Sequence, residues 1–174
     1  LNTQQRGFTL IELVIVIIVL GTLSATAVPR FLNLADDADI AVVKGTGGAL
    51  KSAVNLAHSK WLIIGSPADH NARNDLPLYG AGLDGQIDLN TAGWPAQSYA
   101  GSDTVLNADN AADCTSLWNA ILNTGSDKID ELATSEPYIV EYQYKGICLY
   151  KWSKNTELYI RYDSNTGDVS VHVS

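Results

Sequence analysis

The chain has 174 residues, with nineteen acidic against eleven basic, and a formal charge of −8. With a sequence pI near 4.6 and no clustered basic patch, nucleic acid is excluded as the main partner, because phosphate binding needs local Lys or Arg. The charges are unevenly placed: from Phe8 to Val28 the only ionisable residue is Glu12, while from Arg30 onward there are ten basic and eighteen acidic residues. An apolar N-terminal rod joined to an acidic body is a poor match to a cytosolic enzyme.

The first predicted element is the apolar run Phe8–Val28, 21 residues long. As a helix it would span about 31 Å at 1.5 Å per residue, enough for a bilayer core of roughly 30 Å. A secretory signal peptide has a basic start, a shorter apolar stretch and then a small-residue cut. Here the polar leader Leu1–Gly7 ends in Arg6-Gly7 and the apolar run begins at once, so Ala25-Thr26-Ala27 is the weaker cleavage candidate. Glu12 is the residue that needs explaining. A carboxylate at mid-bilayer costs about 2.5–3.5 kcal/mol, and less near the interface. Glu12 therefore either snorkels to water or awaits a cation from another chain.

Arg6-Gly7, then Phe8-Thr9-Leu10-Ile11-Glu12-Leu13 and an unbroken apolar run, resembles the N-terminus of type IV prepilins. The resemblance implies that a prepilin peptidase cuts between Gly7 and Phe8 and N-methylates the new Phe8 amine. It also implies that Glu12 neutralises the Phe8 ammonium of a neighbouring subunit as filaments assemble, which suits the high cost of an unpaired charge in apolar surroundings. The implied partners are identical pilin subunits, the peptidase, inner-membrane assembly machinery, and an unnamed surface or host-cell ligand. The implied location is the inner membrane for the precursor, then an extracellular pilus on a Gram-negative bacterium. The chain opens at Leu1 with the leader attached, as expected of a precursor or a clipped record, and Phe8 then has no free amine. The expected organisation is a leader at 1–7, a transmembrane and assembly helix at 8–29, and a globular head at 30–174.

Gly21, Thr22, Ser24 and Thr26 form a stretch of poorer helix formers before Pro29, which removes one hydrogen bond and kinks the rod. By resemblance, the Gly21–Pro29 stretch can lose helicity inside a filament. Beyond Pro29 the pattern becomes amphipathic: Ile40, Val43, Gly47, Leu50, Val54, Ala57, Trp61 and Ile64 recur at spacings of three and four. One long helix over 8–63 is predicted. Gly45-Thr46-Gly47-Gly48 marks close packing rather than a phosphate loop, since no strand precedes it and no Gly-Lys-Ser/Thr follows.

From Gly65 to Asp113 the chain is rich in Gly, Pro, Asn, Asp and Ala, and reads as a long excursion with little regular structure. Residues 69–113 hold seven acidic residues and only Arg73, a solvated face in the simplest account. Trp94-Pro95 and Tyr99 are candidate anchors of the excursion. A short helix follows, capped by Asp113 and running through Asn123. Alternation then predicts strands at Tyr138–Tyr144, Ile147–Trp152, Leu158–Tyr162 and Val169–Val173, joined by short turns. The fold class is α+β, a long N-terminal helix packed on a four-stranded antiparallel meander.

Cys114 and Cys148 are the only cysteines. An N-terminal anchor that sends the body outward places both in an oxidising compartment, where a bridge is expected. Two Cys without a nearby His leave a zinc site half-filled. Asp163, Asn165 and Asp168 resemble half a calcium loop but lack its twelfth-position Glu and flanking helices. His58, His70 and His172 are dispersed and pair with no nucleophile. No catalytic residue, metal or cofactor is expected. The position of the cysteine pair, the Leu117-Trp118 helix and the final hairpin resemble the pilins of mannose-sensitive haemagglutinin pili. The leading function is the major structural subunit of a type IV pilus that mediates surface attachment. The alternatives are a type II secretion pseudopilin, a minor pilin, and a monomeric membrane-tethered binding domain.

Overall fold

The computed structural model describes residues 7–79, 85–99, 104–122, 129 and 137–173, with backbone alone at 32 and 33. The chain divides into two compact units, residues 1–39 and 40–174. Helix α1 (Leu10–Ile63) starts two residues later than the apolar run predicts and continues through Pro29.

In the first unit α1 leaves Leu10, Ile11, Leu13, Ile15–Leu20, Leu23, Val28 and Phe31 exposed. Its hydroxyl side chains turn back onto the helix. Thr22 Oγ1 donates to Val19 O at 2.9 Å, Ser24 Oγ to Leu20 O at 2.7 Å and Thr26 Oγ1 to Leu23 O at 3.0 Å. Bonds of this kind satisfy a polar group without water, as a bilayer demands. The helix is long and apolar enough to cross a membrane.

In the second unit the predicted stripe is buried. Val43, Leu50, Val54 and Ala57 have no exposed surface, and Ile40 and Trp61 pack at its border. Ile64 falls outside the stripe, because the helix ends at Ile63 and leaves Ile64 exposed. The stripe shares its core with a four-stranded antiparallel sheet in the order β4-β5-β6-β7. Its strands are β4 (Tyr138–Gln143), β5 (Ile147–Trp152), β6 (Tyr159–Asp163) and β7 (Asp168–His172), each within a residue or so of its alternation-based limits. Val140, Cys148, Tyr150, Ile160, Tyr162 and Val169 form the buried face. The glycine cluster is tight at one position only. A Cβ on Gly47 would lie 2.3 Å from Val171 Cγ2, whereas Gly45 and Gly48 have nothing within 4 Å.

The excursion has more regular structure than its composition suggests. After a single turn, α2 (His70–Arg73), a second antiparallel sheet forms from β1 (Leu76–Pro77), β2 (Gln86–Leu89) and β3 (Pro95–Gln97). Strands of two to four residues, one carrying a bulge between Asp88 and Leu89, are too short to display a period. Buried polar groups organise them instead. Asp88, fully buried, accepts from Asp75 N at 2.8 Å and Tyr99 N at 3.3 Å. Buried Arg73 donates to Leu89 O at 2.9 Å.

Trp94 and Pro95 do anchor the excursion. The Trp94 ring stacks on His58 at 3.8 Å and covers Gly167, where φ is +71 and a Cβ would come within 2.2 Å of the ring. Only glycine satisfies both conditions. Pro95 O accepts the Tyr162 hydroxyl at 2.6 Å.

Helix α3 (Ala111–Ile121) is capped by Asn110 rather than Asp113. Asp113 is the third helical residue and closes a capping box by accepting from Asn110 N, while Asn110 Oδ1 accepts from Asp113 N at 2.9 Å. Both residue types favour the cap, and the box requires its acid three positions in. Asn123, the expected helix end, lies outside the described residues.

Candidate functional site

The leader 1–6 lies outside the described residues. Gly7, Phe8 and Thr9 have no regular structure, and the Phe8 side chain is 93% exposed. A Cβ at Gly7 would meet nothing within 4 Å. The Gly7–Phe8 bond is thus an open, non-helical peptide just ahead of an apolar helix.

Glu12 has a partner that the sequence analysis missed. Its Oε2 accepts the Thr9 backbone N–H at 2.8 Å and the Thr9 hydroxyl at 2.7 Å. In return Glu12 N donates to Thr9 Oγ1 at 3.3 Å, and Leu13 N reaches Thr9 O at 3.3 Å. This is a capping box, and its signal was present as Thr-x-x-Glu before an apolar run. A carboxylate in the first turn also meets the positive end of the helix dipole. Gly21 and Pro29 both lie within the unbroken helix, with open space around Gly21.

The two cysteines are bridged, with Cα atoms 5.6 Å apart and a sequence separation of 34. The bridge ties α3 to β5, is fully buried, and is flanked by aromatic rings. Trp118 lies 4.3 Å from Tyr150 and 4.8 Å from Tyr138. The Tyr150 hydroxyl donates to Cys114 O at 2.8 Å. Burial pushes the phenols of Tyr150 and Tyr162 well above their ordinary range.

The remaining candidates sort into structural roles. His58 Nδ1 lies 2.9 Å from Gly93 O, and His172 stacks on Tyr159 at 4.7 Å. Asp163 Oδ1 accepts from Asn165 N and Nδ2 at 3.1 and 2.9 Å, and Oδ2 pairs with Arg161 at 3.1 Å. Both oxygens are engaged in organising the turn. Among the described residues no group of His, Cys, Asp and Glu could hold a metal ion.

Residues 2–28 match the family model of the prokaryotic N-terminal methylation motif. The chain is 31% identical over 113 residues to the type IV major fimbrial protein FimA of Dichelobacter nodosus, covering 63% of this chain and 68% of that one. The chain belongs to the type IV pilin family. Two further pilin-like relatives match over shorter stretches. The type IV narrow pilus major component PilA5 of Thermus thermophilus is 54% identical over 54 residues, 31% of this chain and 47% of its own. The type II secretion system core protein G of Pseudomonas aeruginosa is 42% identical over 53 residues, 30% of this chain and 37% of its own. The chain therefore spans less than half the length of those two relatives. No solved structure matches the chain at a significant level.

Proposed function

We propose that this pilin is a structural subunit of a type IV pilus, held in the membrane as a precursor and then assembled with identical copies. The observation that carries this reading is the first unit of the chain. It is an apolar helix with exposed side chains whose hydroxyls at Thr22, Ser24 and Thr26 bond back onto the helix itself. Contiguous apolar surface on this scale calls for lipid or for other chains. Lipid suits the precursor; in a filament, only further copies can take its place.

In this scheme the peptidase cuts the open Gly7–Phe8 bond and methylates Phe8, in keeping with the methylation-motif match. Glu12 then pairs with the Phe8 ammonium of a neighbour. The Gly21–Pro29 stretch is the part of α1 most easily unwound there. The head, rigidified by its buried bridge, meets the surface to which the cell attaches. No cofactor enters. The similarity to core protein G favours a secretion pseudopilin as the second reading. It covers 30% of the chain, whereas the FimA similarity extends over 63%.

Glu12→Gln tests the scheme, because it keeps the size and removes the charge. The variant should reach the membrane fraction at least as well as wild type and yield few sheared filaments. Normal filaments would reduce Glu12 to a tolerated interfacial charge. Intact mass of the sheared protein should lack residues 1–7 and carry one methyl group.

A further inference from the structure

The capping box gives Thr9 a part that neither the methylation motif nor the similarity to pilins assigns. We propose that Thr9 is the positioning residue for Glu12, holding one carboxylate oxygen so that the other is ready for an ammonium from a second copy. The proposal rests on the reading of Glu12 as an assembly residue.

Three observations carry it. Both bonds from Thr9 end on Oε2, at 2.8 and 2.7 Å, which leaves the lone pairs of Oε1 for an incoming cation. The bonds come from the N–H and the hydroxyl of one residue, so they fix the side chain's direction as well as neutralising its need for donors. Finally, the donors lie on the C-terminal side of Phe8. Cleavage between Gly7 and Phe8 leaves the Thr9 amide and hydroxyl intact, so the same hold serves precursor and processed chain.

The physical gain is preorganisation. A free glutamate samples several staggered rotamers, and freezing them on association weakens binding. A glutamate already held by its cap loses little further freedom when the ammonium arrives. In the apolar surroundings expected for this segment, the same two bonds offset part of the cost of burying the charge before a partner is found.

The test uses the full chain in cells that make filaments, with Thr9→Val and Thr9→Ser beside wild type and Glu12→Gln. Valine keeps the shape and the backbone N–H but removes the hydroxyl donor; serine keeps the donor. Three quantities are read: intact mass, membrane-fraction level and sheared-filament yield. Thr9→Val should be cleaved, methylated and inserted like wild type. Its filament yield should fall about fivefold, the size expected for loss of a capping side chain. Thr9→Ser should stay near the wild-type yield. Full yield from Thr9→Val, or an equal loss from Thr9→Ser, would overturn the proposal. Failure of Thr9→Val to be cleaved would also overturn it, by assigning the residue to the peptidase. Glu12→Gln separates the layers. Normal filaments from that variant sink the assembly role of Glu12 itself. Poor filaments from it, with normal ones from Thr9→Val, sink the role of Thr9 alone.

Discussion

The two units of this pilin solve the same problem, what to do with polar groups amid apolar ones, in opposite ways. In the first, the side-chain hydrogen bonds from Thr9 to Thr26 are local, spanning three or four residues: Thr9 with Glu12, Thr22 with Val19, Ser24 with Leu20, Thr26 with Leu23. In the second, buried groups reach across the sequence, as Tyr162 does to Pro95, Tyr150 to Cys114 and Arg73 to Leu89. Local bonds leave the apolar surface free for other molecules. Distant bonds consume it, tying elements into one core. The first unit is thus suited to association and the second to holding a fixed shape.

The largest expected effect breaks the second unit without touching the first. Replacing Cys114 and Cys148 by Ala should cost about 4 kcal/mol in the chain-entropy account of a loop this long. Urea unfolding of the detergent-solubilised protein, followed by tryptophan fluorescence, measures it; all four tryptophans lie beyond residue 60. A loss below about 1 kcal/mol would show that packing around Trp118 and Tyr150 already does the work of the bridge. Next in size is Gly47→Ala, whose Cβ would sit 2.3 Å from Val171 Cγ2 and should cost about 1–3 kcal/mol through overpacking. Gly21→Ala, in open space within the first unit, should leave the same unfolding curve unmoved, because all four tryptophans report on the second unit.

The same contrast explains what could be read in advance. Val43, Leu50, Val54 and Ala57 were legible because a helix repeats its buried face, and the four strands of the meander because a sheet alternates. The three-stranded sheet was not. Its strands are shorter than a usable period, and Asp88 and Arg73 position them by contacts with residues eleven to sixteen positions away. Of the candidate site, the cysteine pair was legible from its number and compartment. Glu12 drew notice as a charge in an apolar run, and that attention to distant partners obscured Thr9, three residues away. Asp113 stood three positions from the true cap for a related reason: a capping box contains two good capping residues, and composition cannot order them.

A smaller effect concerns pH. Burial alone would raise the Asp163 carboxyl, but hydrogen bonds from Asn165 and the Arg161 guanidinium outweigh it and hold the group below the usual carboxylate range. A lowered folded-state value stabilises the protein above the unfolded carboxylate value, and the benefit is lost as pH falls through the folded one. Asp113 works the other way. Burial there outweighs the backbone bond from Asp109 and raises the group, so its contribution is fully present below the unfolded value and is lost as pH rises through the raised folded one. Asp163→Asn should therefore flatten the acid limb of a stability profile, and Asp113→Asn should reduce the opposing slope in the weakly acidic range. Parallel profiles for wild type and Asp163→Asn would mean the turn does not depend on the charge.

The smallest effect sharpens the comparison most, because it reverses sign between adjacent residues of one helix. Gly48 follows Gly47 in α1, yet a Cβ there would meet nothing within 4 Å. Glycine in a helix interior costs up to about 1 kcal/mol relative to alanine, largely through the freedom it keeps when unfolded. At Gly47 that cost is offset by the close approach of β7, which alanine would obstruct. At Gly48 nothing offsets it. Gly48→Ala should raise the urea midpoint of the solubilised protein by a fraction of a molar, where Gly47→Ala lowers it. The slope of the transition should stay the same in both, since neither changes how much surface unfolding exposes. A lowered midpoint for Gly48→Ala would mean that this side of α1 is covered within the subunit, and that the two glycines do not separate a packed face from a bare one.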